Sequence, residues 1–181
     1  MKCLYLEKST GSARSGDWAA ELDLDGVERI VVGTGPGSFA GIRAAIAFAQ
    51  GFAIARGCEV LGLPSPCALA SGEGPVAVVG DARRGKYWVA LFDGFKLIGE
   101  IFQVTREELP KRVPRSVKVT SPDDERIGEM LKEFFGEFYD GGGKPTAEGL
   151  RRFAEANPSM LKPEPLPVYL NAAVQSVGKA L

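Results

Sequence analysis

The chain has 181 residues, of which 45% are hydrophobic and 25% are charged, with a formal net charge of −1. This composition is typical of a soluble globular protein of one domain or two small ones, and it argues against a large electrostatic surface for nucleic acid. The sequence contains no histidine. That absence excludes a histidine general base, a Ser–His or Cys–His pair and any imidazole metal ligand. No acidic cluster has metal-binding spacing, so no metal site is predicted.

Targeting features are also absent from the sequence. No apolar run approaches the roughly 18 residues that span a bilayer, and Met1–Thr10 lacks the apolar stretch of a secretory signal. The three cysteines, Cys3, Cys58 and Cys67, have neither metal nor redox spacing. We therefore expect reduced thiols in a cytoplasmic protein that makes no membrane contact.

The N-terminal part of the chain predicts short strands around one long helix. Strands are expected at residues 1–6, 30–32 and 59–63, and the helix at residues 41–56, ended by Gly57 as its C-cap. One apolar face of the helix follows three- and four-residue steps: Ile42, Ala45, Ile46, Ala49, Phe52 and Ala53. A second small apolar set covers much of the remainder: Ala44, Ala47, Phe48, Gly51 and Ala55. A helix that is apolar nearly all round is typically deeply buried or shared with a partner.

The rest of the chain predicts further strands and helices around turns. Strands are expected at residues 75–79, 86–92 and 117–120, and residues 95–102 are expected to form a hairpin across Asp93-Gly94. Helical segments are expected at residues 106–109, 123–135 and 145–156, with residues 141–144 as a loop. The pattern predicts an α/β protein with two lobes, at residues 1–74 and 75–181.

The glycine-rich segment before the long helix, G-T-G-P-G-S, supports two interpretations. Gly35, Gly37 and the Ser38 hydroxyl are candidates for an anion site at the helix N-terminus, with Arg43 one turn into the helix as a candidate contact to a phosphate or carboxylate. Alternatively, the glycines only shape the turn and Ser38 is the N-cap. The lysine of the phosphate-binding loop pattern is missing, so the spacing favours the structural interpretation.

A second candidate loop is the segment D-A-R-R-G at residues 81–85, which lies between two predicted strands. It is either a polar hairpin connection or a basic loop in which Arg83 and Arg84 recognise a phosphate or carboxylate. Both interpretations stay open, and these arginines together with Lys86 are the first candidates for contact with RNA.

Four blocks of the sequence, in the same order, resemble the TsaB (YeaZ) family, which carries the historical label of glycoprotease-like or peptidase M22 proteins. The blocks are G-T-G-P-G-S-F-A-G-I-R, E-V-L-G-L-P-S-P-C-A-L-A, V-V-G-D-A-R-R-G-K-Y-W-V-A-L-F and P-V-Y-L-N. The resemblance implies an actin-like ATPase (ASKHA, RNase H-like) fold of two lobes. It also implies a role in making threonylcarbamoyladenosine at position 37 of tRNA.

The resemblance further implies that this chain is not the catalyst. The family pairs with a TsaD-like subunit that carries the metal and the nucleotide, and a TsaE-like ATPase joins the assembly. Helices of the N-terminal lobe would form the contact with the TsaD-like subunit, and the same surface can form homodimers. The face that begins at Ile42 is therefore the predicted partner surface.

The first residues depart from the family pattern. Family members usually have a first strand ending A-I-D-T-S, followed by a hairpin and a longer helix, and residues 1–27 are too short for all of these elements. The N-terminal lobe is thus expected to be reduced, with Glu7 near the usual Asp and Ser9 near the usual Ser. Ala40 also replaces the more common Thr. These departures weaken the case for a phosphate site.

We predict a non-catalytic scaffold subunit without a cofactor of its own, which contacts tRNA indirectly through its partner. ATP at the glycine loop is the cofactor that the alternative would require. The alternatives are a nucleotide-binding hydrolase, a glycoprotease-like peptidase, or a divergent paralogue that only homodimerises through the long helix. The missing histidine and the lack of a nucleophile–base pair argue against a peptidase.

Overall fold

The structure, a computed structural model, describes residues 1–10 and 22–170. Its described part contains ten strands: β1 (Lys2–Leu6), β2 (Val27–Gly33), β3 (Glu59–Leu63), β4 (Pro75–Arg83), β5 (Lys86–Asp93), β6 (Lys96–Leu97), β7 (Phe102–Thr105), β8 (Lys118–Ser121), β9 (Tyr139–Gly142) and β10 (Lys162–Pro163). The α-helices are α1 (Phe39–Arg56), α2 (Leu109–Arg112), α3 (Asp124–Phe135) and α4 (Ala147–Ala156). Short 3-10 segments lie at Ser65–Leu69, Gly136–Phe138 and Pro158–Met160.

The strands form two sheets. The first has the order β1-β2-β3-β10, with β1, β2 and β3 parallel and β10 antiparallel to β3. The second has the order β6-β5-β4-β8-β9, and β7 also pairs with β5. Its β4–β5 hairpin is antiparallel, whereas β8 is parallel to both β4 and β9. The parallel and hairpin contexts predicted from the sequence are therefore both present.

Three apolar clusters place the helices on these sheets. One face of α1 packs on β1 and β2 in the first cluster. The second cluster combines side chains of both sheets with α4, including Val31, Val78 and Phe153. The third places α2 and α3 on the far side of the second sheet, around Leu131. The division into lobes at residue 74 stays a prediction, since β10 and α4 pack with the first sheet although they come late in the chain.

Several element boundaries differ from the sequence predictions. Strand β4 continues through Gly80 and Asp81 instead of ending before them, because both residues stay paired with β5. Helix α2 begins at Leu109, later than predicted, with Pro110 in its first turn. Proline is tolerated there because the N–H groups of a helix's first turn have no hydrogen-bond partner within the helix. Short strands β9 and β10 were not expected. They form by pairing with residues distant in sequence, which local patterns do not reveal.

The β5–β6 connection is also shifted. Its two-residue turn is Gly94-Phe95, because Asp93 pairs with Lys96. Helix α1 begins at Phe39, two residues before the predicted start, and Gly57 ends it in the left-handed conformation expected of a C-cap. None of the helices in the described ranges has the length and apolar content that crossing a membrane requires.

Candidate functional site

A cavity of about 660 Å³ lies where the glycine loop, the end of β4 and the last described residues meet. Its polar lining includes Ser38 of the loop and Arg83 at the end of β4, and its aromatic lining includes Phe39 and Tyr169. Asp81 and Asp123 also line it, together with Arg126. The cavity thus collects several groups that the sequence singled out, and their contacts decide what it can bind.

The glycine loop uses its own backbone donors inside the chain. The Gly35 N–H donates to Ser65 Oγ at 2.9 Å, and the Ser38 N–H donates to the Ser9 carbonyl oxygen. A side chain on Gly37 would collide with that same carbonyl, so glycine is required there for close packing. Ser38 Oγ accepts the Gly41 N–H at 3.3 Å as an N-cap. The loop therefore offers a bound anion fewer donors than the anion-site hypothesis assumed.

Arg43 is engaged rather than open to an anion. Its Nε and Nη2 atoms donate to the Tyr169 hydroxyl at 2.9 and 2.6 Å, and its guanidinium lies 3.9 Å from the centre of the Phe39 ring. The Val168 N–H donates to the Thr34 carbonyl oxygen at 2.8 Å. Residues 168–170 thus lie against the glycine loop and the first turn of α1. The neighbouring Asn171 and the later tail lie outside the described residues.

The predicted partner face of α1 is buried within the chain itself. Four of its members pack on β1 and β2, with Ala45 and Ala49 fully buried, and Phe52 and Ala53 are half-buried. The full set is Ile42, Ala45, Ile46, Ala49, Phe52 and Ala53. Its four buried members cannot form a surface that a partner contacts, because they already pack against Ile30 and Val32 of β2. This corrects the assignment made from helical spacing.

The opposite face of α1 is exposed and still mostly apolar. Ile54 is 88% exposed and Phe39 is 59% exposed, and Ala47 and Gly51 are exposed between them. Small residues on a helix surface let a second helix approach closely. The outer face of α1 is defined here as the exposed apolar residues Ala40, Ala47, Gly51, Ile54 and Ala55. The polar side chains Arg43, Gln50 and Arg56 are also exposed on this helix. The outer face carries three members of the second apolar set, which the sequence did not assign to a partner.

The D-A-R-R-G segment forms a tight hairpin held by Asp81. The Asp81 carboxylate accepts the Arg83 N–H at 2.7 Å, and it pairs with Arg126 Nε at 3.3 Å. The backbone N–H of Asp81 donates to Asp123 Oδ2 at 2.9 Å, and the Asp123 carboxylate also pairs with Arg126. The two carboxylates in the cavity are therefore neutralised by arginines. The involvement of Asp123 and Arg126 was not predicted, because they come from α3 and its preceding turn.

Glu7, which stands near the usual family aspartate, points inward. Its Oε1 accepts the Ser9 N–H at 2.6 Å, while its Oε2 has no hydrogen-bond partner in the described structure. A side chain on Gly33 would collide with this carboxylate. Burial raises the pKa of Glu7, and the hydrogen bond from the Ser9 N–H only partly offsets that rise. Glu7 is not among the residues that line the cavity.

Replacing Glu7 by glutamine is expected to stabilise the fold near pH 7. The carboxyl group holds its proton more strongly in the folded chain than in the unfolded chain. Its contribution is therefore most favourable below the ordinary pKa of about 4.5, and it falls as pH rises through the raised folded value. Glutamine carries no charge to bury. Thermal unfolding at pH 7 should show a melting temperature a few degrees higher for Glu7→Gln, with the gain gone near pH 4. Equal melting temperatures at pH 7 would contradict this account.

Within residues 1–10 and 22–170, no group of three or more His, Cys, Asp or Glu side chains is arranged to hold a metal ion. The three cysteines are unpaired thiols, as expected from their spacing.

Comparison with known proteins gives one family match. A family model described as TsaD: tRNA N6-adenosine threonylcarbamoyltransferase matches residues 18–140. The uncharacterized proteins Rv3421c of Mycobacterium tuberculosis and Mb3455c of Mycobacterium bovis are each 39% identical over 97 residues, which cover 52% of this chain and 46% of theirs. The chain thus spans about half the length of the curated relatives it matches.

Solved structures with the same fold include YeaZ from Pseudomonas aeruginosa. The two structures align with a TM-score of 0.63 and 25% sequence identity. The alignment covers 84% of this chain and 78% of the YeaZ chain. A second P. aeruginosa structure, an uncharacterized protein with similarity to peptidase YeaZ, aligns with a TM-score of 0.62 and 25% identity over 87% of this chain and 80% of its own. These neighbours confirm the predicted α/β fold of the actin-like (ASKHA) type.

Proposed function

Because the chain belongs to the TsaD, tRNA N6-adenosine threonylcarbamoyltransferase, family and is TsaB (YeaZ)-like within it, we propose that it is a non-catalytic partner subunit in tRNA threonylcarbamoyladenosine synthesis. A role in this tRNA modification follows from the family. In this role the chain pairs with a TsaD-like catalytic subunit in the cytoplasm, and a TsaE-like ATPase joins the pair.

The outer face of α1 is the observation that carries the proposal. It combines an almost fully exposed Ile54 with the small residues Ala47 and Gly51 at helical spacing. An exposed isoleucine leaves apolar surface in contact with water. Burying that surface against a second helix would stabilise the complex by about 25 cal/mol for each Å² covered. The small neighbours permit the close helix–helix contact that this burial needs.

The cavity supports a non-catalytic role for this chain. Asp81 and Asp123 are each paired with an arginine, so neither carboxylate is placed as an unpaired general base. Glu7 is not among the residues that line the cavity, and the sequence contains no histidine. These features argue against a peptidase active site built from a side-chain nucleophile and a base within hydrogen-bonding distance.

Copurification tests the proposal directly. The cognate TsaD-like protein, tagged and coexpressed with the untagged full chain, is expected to retain this chain through affinity and size-exclusion steps. The isolated chain has a mass of 19.3 kDa, so complex formation will be evident from light scattering. If the chain elutes at twice its own mass and does not copurify with the TsaD-like protein, the result would support the homodimerising paralogue instead. A chain found in neither complex would contradict both readings.

A further inference from the structure

The tip of the β4–β5 hairpin has an unusual backbone for its residues. Arg83 pairs with Lys86, so Arg84 and Gly85 form the two-residue turn. Their φ angles are 54° and 71°, the signs that a type I′ turn requires. Arg83, just before the turn, also has a positive φ of 67°. Two consecutive arginines therefore occupy the left-handed region.

Arginine is a poor choice for that conformation. Its Cβ makes the left-handed region unfavourable, whereas asparagine and glycine enter it readily and dominate the first position of type I′ turns. Either would fit the position of Arg84 with less strain. Strained backbone of this kind is concentrated at functional sites, so the two arginines call for a functional explanation.

The cationic side chains at the tip differ in their contacts. The Arg83 guanidinium lies 3.5 Å from the Asp81 carboxylate and is 67% exposed. Among the described residues, Arg84 makes no ion pair or side-chain hydrogen bond, and both it and Lys86 are exposed. Asp81 fixes the base of the hairpin while the tip presents cationic groups to solvent.

Two exposed aromatic rings line the cavity that Arg83 reaches, whereas Arg84 at the tip is not among the lining residues. Phe39 and Tyr169 are 59% and 54% exposed, and they line the same cavity as Arg83. Their ring centres lie 6.2 Å apart. Guanidinium groups beside exposed aromatic faces are the arrangement that binds unpaired nucleic acid, because phosphates contact the cations and bases stack on the rings.

The Arg43 guanidinium lies 3.9 Å from the centre of the Phe39 ring and so covers one of its faces. We propose that Arg83 and Arg84 bind phosphates of an unpaired RNA strand, whose bases stack on the ring faces of Phe39 and Tyr169 that Arg43 leaves open. The identification of that RNA with a tRNA rests on the proposed function. The carboxylates of Asp81 and Asp123 do not oppose this binding as unpaired charges, since Arg126 pairs with both of them. This proposed contact is direct, in contrast to the expectation from the family resemblance that the chain contacts tRNA only through its partner.

Arg84→Asn separates the charge from the backbone. Asparagine keeps the turn and relieves strain, so the variant should melt at a slightly higher temperature than the wild type. Its RNA affinity should nevertheless fall several-fold, and the slope of log K against log salt should become shallower by about 0.7, the value of one phosphate contact on a single strand. Arg84→Lys, which keeps the charge, should retain most of the affinity.

The probes are a fluorescein-labelled oligouridylate, an RNA duplex of equal length and a tRNA transcript, each titrated with the full chain and followed by anisotropy. Arg115→Asn is the matched control. It removes one exposed arginine that has no ion pair among the described residues. Arg115 lies near the opposite end of the sheet, where Lys118 pairs with Val76 at the start of β4. This control should leave the affinity and the salt slope unchanged.

Two results would overturn the inference: wild-type chain that binds neither oligouridylate nor tRNA, or Arg84→Asn that binds both with unchanged affinity and slope. Preference for the duplex would also contradict it. Each variant is also tested for copurification with the TsaD-like protein, which should not change. Lost RNA binding with intact copurification concerns this site alone, whereas failed copurification of the wild type concerns the proposed function alone.

Discussion

Replacing Gly51 by arginine is expected to abolish copurification with the TsaD-like subunit while leaving the fold intact. Gly51 lies on the outer face of α1, and a Cβ at this position would meet no atom within 4 Å. The isolated chain can therefore accommodate the new side chain in solvent. In a close helix–helix contact, the arginine would either hold the two helices apart or be buried between them as an unpaired charge. Burying an unpaired charge typically costs several kcal/mol.

Two further variants make this result specific. Glu129→Arg introduces the same side chain on an exposed position of α3 and should leave copurification unchanged. Ala49→Arg places it on the buried face, where Ala49 is fully buried, and should instead unfold the chain. A folded Gly51→Arg variant that still copurifies at the wild-type level would contradict the assignment of the outer face.

Replacing Gly149 by alanine is expected to destabilise the fold by about 1–3 kcal/mol, the usual range for overpacking. Gly149 lies in the first turn of α4, and its added methyl group would overlap the backbone carbonyl of Ala68. Backbone in the Ser65–Leu69 segment cannot swing aside as a flexible side chain can. The packing penalty should exceed the gain of up to about 1 kcal/mol that alanine gives over glycine in a helix.

Gly51→Ala is the matched control for that substitution. Both glycines lie in α-helices, but the space around Gly51 is open. This variant should therefore be more stable than the wild type by up to about 1 kcal/mol. Urea unfolding followed by circular dichroism measures both changes. A Gly149→Ala variant at least as stable as the wild type would contradict the packing of α4 on the Ser65–Leu69 segment.

Much of the fold was predictable where local chemistry is decisive. Strand β3 and the end of α1 were correctly placed, because Gly57 provides an unambiguous C-cap between them. The amphipathic spacing of α3 likewise gave its position to within one residue. Strands β9 and β10 were missed because they are short and exist only through partners far along the chain. Local propensity carries no information about such pairing.

The face of α1 shows a different limit. The sequence correctly indicated that both sides of the helix are apolar, but helical spacing cannot say which side meets the chain's own sheet. That choice depends on where β1 and β2 lie relative to the helix. Ala45 was therefore assigned to a partner although it is buried, whereas Ile54 was left out although it is exposed. A partner surface requires the packed structure before it can be assigned.

The cavity shows the same limit for polar residues. Arg43 and Tyr169 are 126 residues apart in the chain, yet they are hydrogen-bonded to each other. Nothing in the local pattern around Arg43 distinguishes an arginine held by a tyrosine from one open to an anion. The left-handed backbone of Arg84 was equally hidden, because arginine is not a residue that signals a type I′ turn.

Reconstitution of tRNA modification tests the partner role most directly. A cognate TsaD-like and TsaE-like pair that lacks its own partner subunit is supplied with tRNA transcript and substrates, and threonylcarbamoyladenosine in the digested tRNA is measured by mass spectrometry. We predict that product forms when the full wild-type chain is added, that Gly51→Arg fails to support it, and that the chain alone makes none. Product that forms equally well without this chain would contradict the proposed function.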